Sequence, residues 1–166
     1  VEVQRGIRTK SDECAVGPKQ DPLDYRMDML DSDRHRAVLA KAAEMASWGK
    51  KLPAGVAQGI GMHDEYKSIT AYVMEIDTRG KEPRMNKCDN AVDNGICVNP
   101  KGTEGSLFGQ AMDGFALVFR AGLHVDNGAT RENNFHDYKW SRMFDSAPEM
   151  SLTILPTSNV TPGGVG

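Results

Sequence analysis

The sequence predicts an α+β domain, a mixed sheet packed with helices, and three observations predict it. Segments with the 3.6-residue apolar period are interspersed with segments of period two, without the regular βα alternation of a doubly wound sheet. Asp126-Asn127-Gly128 is a tight-turn signal of the kind that joins antiparallel strands. At 166 residues the chain has the length of one domain, about 100–200 residues, and can bury a core of its own.

Asp21-Pro22 opens the first helix. Aspartate suits the N-cap, proline the first helical position, and Asp24 adds negative charge to the first turn, while Leu23, Met27 and Leu30 form one apolar face. Asp31-Ser32-Asp33 is a polar break that caps a second helix with Val38, Leu39, Ala42, Met45 and Ala46 as its stripe, and Gly49 is placed to end it. From Val56 to His63, and again from Lys67 to Asp77, the pattern turns to strands, with Tyr72, Met74 and Ile76 alternating with Ala71, Val73 and Glu75. Asp77 to Gly80 reads as a turn, and Arg84 to Val92 as a third strand despite its polarity.

Asn99-Pro100 starts the next helix, with Phe108, Ala111, Met112, Phe115 and Phe119 at helical spacing. Gly105, Gly109 and Gly114 sit inside it, each at a cost of about 1 kcal/mol relative to alanine. They predict close backbone approach, either to a sheet or to a bound group. Met150, Leu152 and Ile154 alternate with Ser151 and Thr153 in the last strand, which Pro156 ends.

Composition narrows the function. Apolar residues at 39% and charged residues at 26% are those of an ordinary soluble globular protein, and no apolar run approaches the ~20 residues of a bilayer span. Twenty Lys+Arg against 23 Asp+Glu, scattered along the chain, disfavour a nucleic-acid partner. Cys14, Cys88 and Cys97 are too few and too widely spaced for a disulfide framework, a redox pair or structural zinc. The N-terminus lacks a signal-peptide pattern, and the glycine-rich end at Gly166 closes no helix or strand, as expected of a piece of a larger protein.

His63-Asp64-Glu65 has metal-ligand chemistry, yet adjacent residues of a strand point to alternate faces, so a solvated strand end is the preferred reading. His136-Asp137 has the His–carboxylate half of a nucleophilic triad, but no Gly-x-Ser-x-Gly turn accompanies it. Pro162-Gly163-Gly164-Val165-Gly166 suggests an anion-binding nest of backbone N–H groups, or else a flexible tail.

Taken in order, these segments resemble one family. They are Asp21-Pro22-Leu23-Asp24-Tyr25-Arg26; Arg36-Ala37-Val38-Leu39 with Ala46-Ser47-Trp48-Gly49; and Leu52-Pro53-Ala54-Gly55 with Gly59-Ile60-Gly61. Then come Ala91-Val92-Asp93-Asn94-Gly95 with Val98-Asn99-Pro100, Met112-Asp113-Gly114, Leu123 to Gly128, Asn134-Phe135-His136-Asp137-Tyr138, Ala147-Pro148-Glu149 and the terminal glycine loop. The ordered set is similar to the molybdenum-binding large subunit of the xanthine oxidase class, particularly isoquinoline 1-oxidoreductase beta subunits and related aldehyde dehydrogenases.

The resemblance implies a fragment of a molybdopterin-binding domain spanning residues 1–166 and truncated at the active-site loop. It implies a molybdopterin cytosine dinucleotide cofactor in the parent, an iron–sulfur small subunit as partner, and an N-heterocycle or aldehyde as substrate. In the family, the loop runs directly into a glutamate that takes a proton from a metal-bound hydroxyl as that oxygen attacks an electron-poor carbon. Gly109, Gln110, Gly164, Val165 and Gly166 are then the expected cofactor neighbours. That glutamate and the family's upstream glycine-rich segments are absent here, so the chain alone is expected to hold no cofactor and to be inactive. Family members occur in the cytoplasm and behind twin-arginine export signals. The alternative is a non-catalytic binding or assembly module that keeps only the fold.

Overall fold

The computed structural model describes residues 15, 20–145, 147–157 and 161–165. Cys14 and Gly166 lie outside them. Asp21 caps helix α1 (Pro22–Asp28) as its residue type predicts, its carboxylate accepting from the Leu23 N–H at 2.8 Å and from the Trp48 indole at 2.9 Å. The second bond ties the start of α1 to the end of α2 (Asp33–Ala46). α2 does not stop at the expected glycine. Ser47 takes the left-handed C-cap conformation, and Gly49 follows it, also at positive φ.

Four strands make the main sheet in the order β1-β2-β3-β6: β1 (Val56–Glu65), β2 (Ser68–Asp77), β3 (Arg84–Asp93) and, last in the chain, β6 (Glu149–Ile154). The first three are antiparallel neighbours, whereas β6 lies parallel to β3. Parallel strands need a long crossover; here it contains α3 (Pro100–Phe119) and a two-stranded ribbon, β4 (Val125–Asp126) and β5 (Ala129–Thr130). Asn127 and Gly128 at the ribbon's turn both have positive φ, as the Asn-Gly signal demands.

The sheet is covered on both faces. Ile69, Ala71 and Val73 of β2 join Ile60, Ala91 and the α2 stripe, including Val38, Leu39 and Ala42, in one core. Tyr72, Met74 and Ile76 point the other way, with Cys88, Met85 and Met150, against Ala111 and Phe115 of α3. This is why β2 reads as almost continuously apolar.

On α3 the buried positions are Thr103, Leu107, Ala111, Phe115 and Ala116. The expected stripe is thus rotated. Phe119 is 39% exposed, and its ring centroid lies 5.0 Å from that of the buried Phe115. The three helix glycines overturn the packing expectation, because a Cβ at Gly105, Gly109 or Gly114 would meet no atom of the described residues within 4 Å.

Candidate functional site

The glycine-rich segment at 161–165 is seated against the sheet rather than trailing from it. Its seat begins in the β1–β2 hairpin, whose two turn residues Tyr66 and Lys67 have φ of +51° and +67°. Such a turn favours glycine or asparagine, so a tyrosine and a lysine there hold a strained conformation that their surroundings must maintain. The Gly164 N–H donates to the Tyr66 carbonyl at 3.0 Å, and the Gly163 N–H to the Asn94 carbonyl at 2.9 Å. A Cβ on Gly163 would stand 2.2 Å from Ser68 Oγ and 2.8 Å from the Lys67 carbonyl. Glycine is required there by close approach.

These bonds correct the anion-nest reading. Two of the amide N–H groups such a nest would use are already committed to carbonyls of the protein.

The segment Ala91 to Gly95 builds the other side of the seat. Asp93 is buried, bonds Arg34 Nε of α2 at 2.8 Å and accepts the Gly95 N–H at 3.0 Å. The Arg34 guanidinium holds the Asp93 carboxyl below the usual carboxylate range. Both contacts brace the bend in which Asn94 presents its carbonyl to Gly163.

From the helix side, Gln110 donates its side-chain amide to the Val165 carbonyl. Loop, hairpin and α3 thereby enclose a cavity of about 220 Å³, lined among others by His63, Glu65, Ser68, Thr70, Leu107 and Gln110. Among the described residues no lysine or arginine lines it. The register places His63 opposite Thr70 and Glu65 opposite Ser68, so the four share the α3 face. His63 Nε2 and Glu65 lie 3.0 Å apart, while Asp64, on the far face, bonds His35 of α2 at 2.7 Å. Alternation along the strand splits His63-Asp64-Glu65 as expected, although both histidines are paired with carboxylates rather than simply solvated.

Of the expected site residues, Gln110, Gly164 and Val165 come together at this cavity. Gly109 is exposed, and Gly166 lies outside the described residues. Sequence reasoning missed Asn94, Tyr66, Ser68 and His63 as its neighbours; the available signal was the period-two register joining His63 and Glu65 to the next strand. His136 and Asp137 pair with each other at 3.2 Å on the surface, with side chains 75% and 38% exposed, which supports the local-pair reading.

No family model matches the chain. It is 26% identical over 158 residues to isoquinoline 1-oxidoreductase subunit beta of Brevundimonas diminuta, covering 92% of this chain and 20% of that protein. It is also 26% identical over 185 residues to the membrane-bound aldehyde dehydrogenase [pyrroloquinoline-quinone] of Gluconacetobacter polyoxogenes, covering 97% of this chain and 23% of that protein. The chain thus spans about a fifth of the length of these curated relatives, and the sequence resemblance to isoquinoline 1-oxidoreductase and aldehyde dehydrogenase subunits is real along nearly its whole length. No helix among the described residues is long and apolar enough to cross a membrane.

Proposed function

We propose that this chain is a segment of the molybdenum-binding subunit of an oxidoreductase that hydroxylates N-heteroaromatic compounds or oxidises aldehydes with water-derived oxygen. In this reading Gln110, Gly164 and Val165 form one wall of the reacting site. The observation that carries the reading is the anchored glycine loop. Gly163 and Gly164 are bonded to Asn94 and Tyr66, and Gln110 holds Val165, so the loop as far as Val165 is fixed against the sheet and helix, as a loop that lines a reacting site requires.

The described residues around this cavity do not fit the phosphate-bearing part of a molybdopterin cytosine dinucleotide. Among the described residues no lysine or arginine lines the cavity, Glu65 stands on its wall, and two loop amides are spent within the protein. Segments outside this chain must therefore grip the cofactor, in keeping with a parent about five times longer. The open space beside Gly105, Gly109 and Gly114 supports the same view, since a further part of the subunit or its cofactor has room to approach α3 there. An iron–sulfur subunit would then take the electrons.

The test is to express the complete reading frame, measure its metal content and assay it with aldehydes and N-heteroarenes against an artificial electron acceptor. Stoichiometric molybdenum with substrate-dependent acceptor reduction is expected. A metal-free, inactive full-length protein would mean a module that retains only the fold. Activity supported by pyrroloquinoline quinone without molybdenum would overturn the cofactor assignment.

A further inference from the structure

A second cavity lies at the other end of α3 from the glycine loop. Its volume of about 450 Å³ falls within the ~300–1,000 Å³ of clefts that take small ligands. Gln110 meets the loop and Arg120 caps the helix, so about 15 Å of helix axis separates the two places. The floor of this cavity is fixed by charge. Arg120 donates to Asp145 at 2.8 Å and to Glu82, and its guanidinium stands 5.9 Å over the Phe115 ring. Asp145 also accepts the Arg142 N–H at 2.8 Å, closing a 3₁₀ turn over Met143–Asp145. Both carboxylates of the cavity are thereby engaged by one arginine. What remains is positive and aromatic. Lys139 and Arg142 are exposed, and among the described residues neither side chain has a carboxylate partner. Between them in sequence, Trp140 is braced by Tyr138, the ring centroids 5.8 Å apart and the planes 26° from parallel. Phe119 and Phe144, 39% and 82% exposed, add apolar wall.

We propose that this cavity binds a planar aromatic carboxylate, its charge held by the Lys139 ammonium and the Arg142 guanidinium and its ring laid against Trp140 and Phe144. A guanidinium fork matches a carboxylate with two parallel N–H···O bonds, and ring stacking adds to the gain from covering apolar surface. The distribution of charge disfavours the opposite choice. A cation would meet two unpaired positive side chains, while the carboxylates that could receive it are already bonded to Arg120. A bare anion would leave the aromatic walls uncovered and gain only an exposed ion pair, which is worth little. The inference stands on this cavity and does not depend on the oxidoreductase reading.

The test uses the 166-residue chain and 2-naphthoate as probe, with 2-naphthamide as the same ring without the charge and inorganic phosphate as charge without the ring. Binding is followed by the chemical shift of the Trp140 indole N–H, and Trp48, whose indole donates to Asp21, is the internal reference. Saturable binding in about the millimolar range or tighter is expected, with the shift at Trp140 and not at Trp48. The amide should bind at least about tenfold more weakly, and so should 2-naphthoate to the double variant Lys139→Gln with Arg142→Gln, because charge-assisted hydrogen bonds are lost in each case. Both replaced side chains are exposed and the Arg142 N–H that closes the turn belongs to the backbone, so the variant keeps its fold. Equal binding of the amide or of phosphate, undiminished affinity in the double variant, equal shifts at Trp48, or no saturable shift in a folded chain would each overturn the proposal. None of these results bears on whether the full subunit carries molybdenum, so the two readings fail separately.

Discussion

Alanine at two kinds of glycine should move stability in opposite directions. At Gly163 the new methyl would lie 2.2 Å from Ser68 Oγ and 2.8 and 2.9 Å from the Lys67 carbonyl oxygen and carbon. The serine can rotate, but Lys67 presents backbone in a turn already held at positive φ, so the loop must move outward. That movement breaks the Gly163–Asn94 and Gly164–Tyr66 hydrogen bonds, worth about 0.5–1.5 kcal/mol each, and frees the strained turn. The expected loss is about 1–3 kcal/mol. At Gly105 or Gly109 an added methyl meets open space within a regular helix, so each alanine should stabilise by up to about 1 kcal/mol. Urea unfolding followed by circular dichroism measures both, the sign appearing as a shift of midpoint at unchanged slope. A neutral Gly163→Ala would refute the docking of the loop, and a destabilising Gly109→Ala would refute the open face of α3.

Three further outcomes are expected. Arg34→Ala leaves the buried Asp93 carboxylate unpaired and should cost about 2–3 kcal/mol at neutral pH, less than a fully enclosed pair because the Arg34 side chain is 37% exposed. Asp93 is held below its ordinary value, so the stabilisation is complete above the usual carboxylate range and is lost as pH falls through the depressed folded value; the gap between wild type and variant should close in acid, and an undiminished gap there would contradict this. Burial pushes the Cys88 thiol up to about 12, so a thiol reagent at pH 8 should modify Cys97 in the native state and reach Cys88 only after unfolding, as peptide mapping would reveal. Phe135, Met143 and Phe144 are 94%, 94% and 82% exposed, so the chain should self-associate, and Phe135→Ser with Phe144→Ser should shift sedimentation toward monomer; a monodisperse wild type would count against it.

The readable part of the molecule is the part set by near neighbours. Asp21-Pro22 and Asn99-Pro100 announce helix starts because a side-chain acceptor and a locked φ act within one turn, and both caps are present. Asn127-Gly128 likewise needs only its own dihedral preferences. Ser47 took the stop assigned to Gly49 because the left-handed residue is chosen by where the helix last packs on the sheet. The α3 stripe rotated to Leu107, Ala111 and Phe115 for a similar reason: a helix rich in apolar residues and glycine admits several faces, and the partner face of the sheet selects one.

By itself the sequence determined the element types, their order, the mixed α+β class and the likeness to molybdenum-hydroxylase subunits, because periodicity, capping and ordered motifs are local or linear properties. Tertiary structure alone decided which glycines are indispensable and what gathers at the loop. Gly163 is required by Lys67 and Ser68, which lie almost a hundred residues earlier, while the helix glycines that looked equally constrained face open space. Close approach and shared cavities are relations between distant segments, and they come into being only when the strands pair and the loop takes its seat.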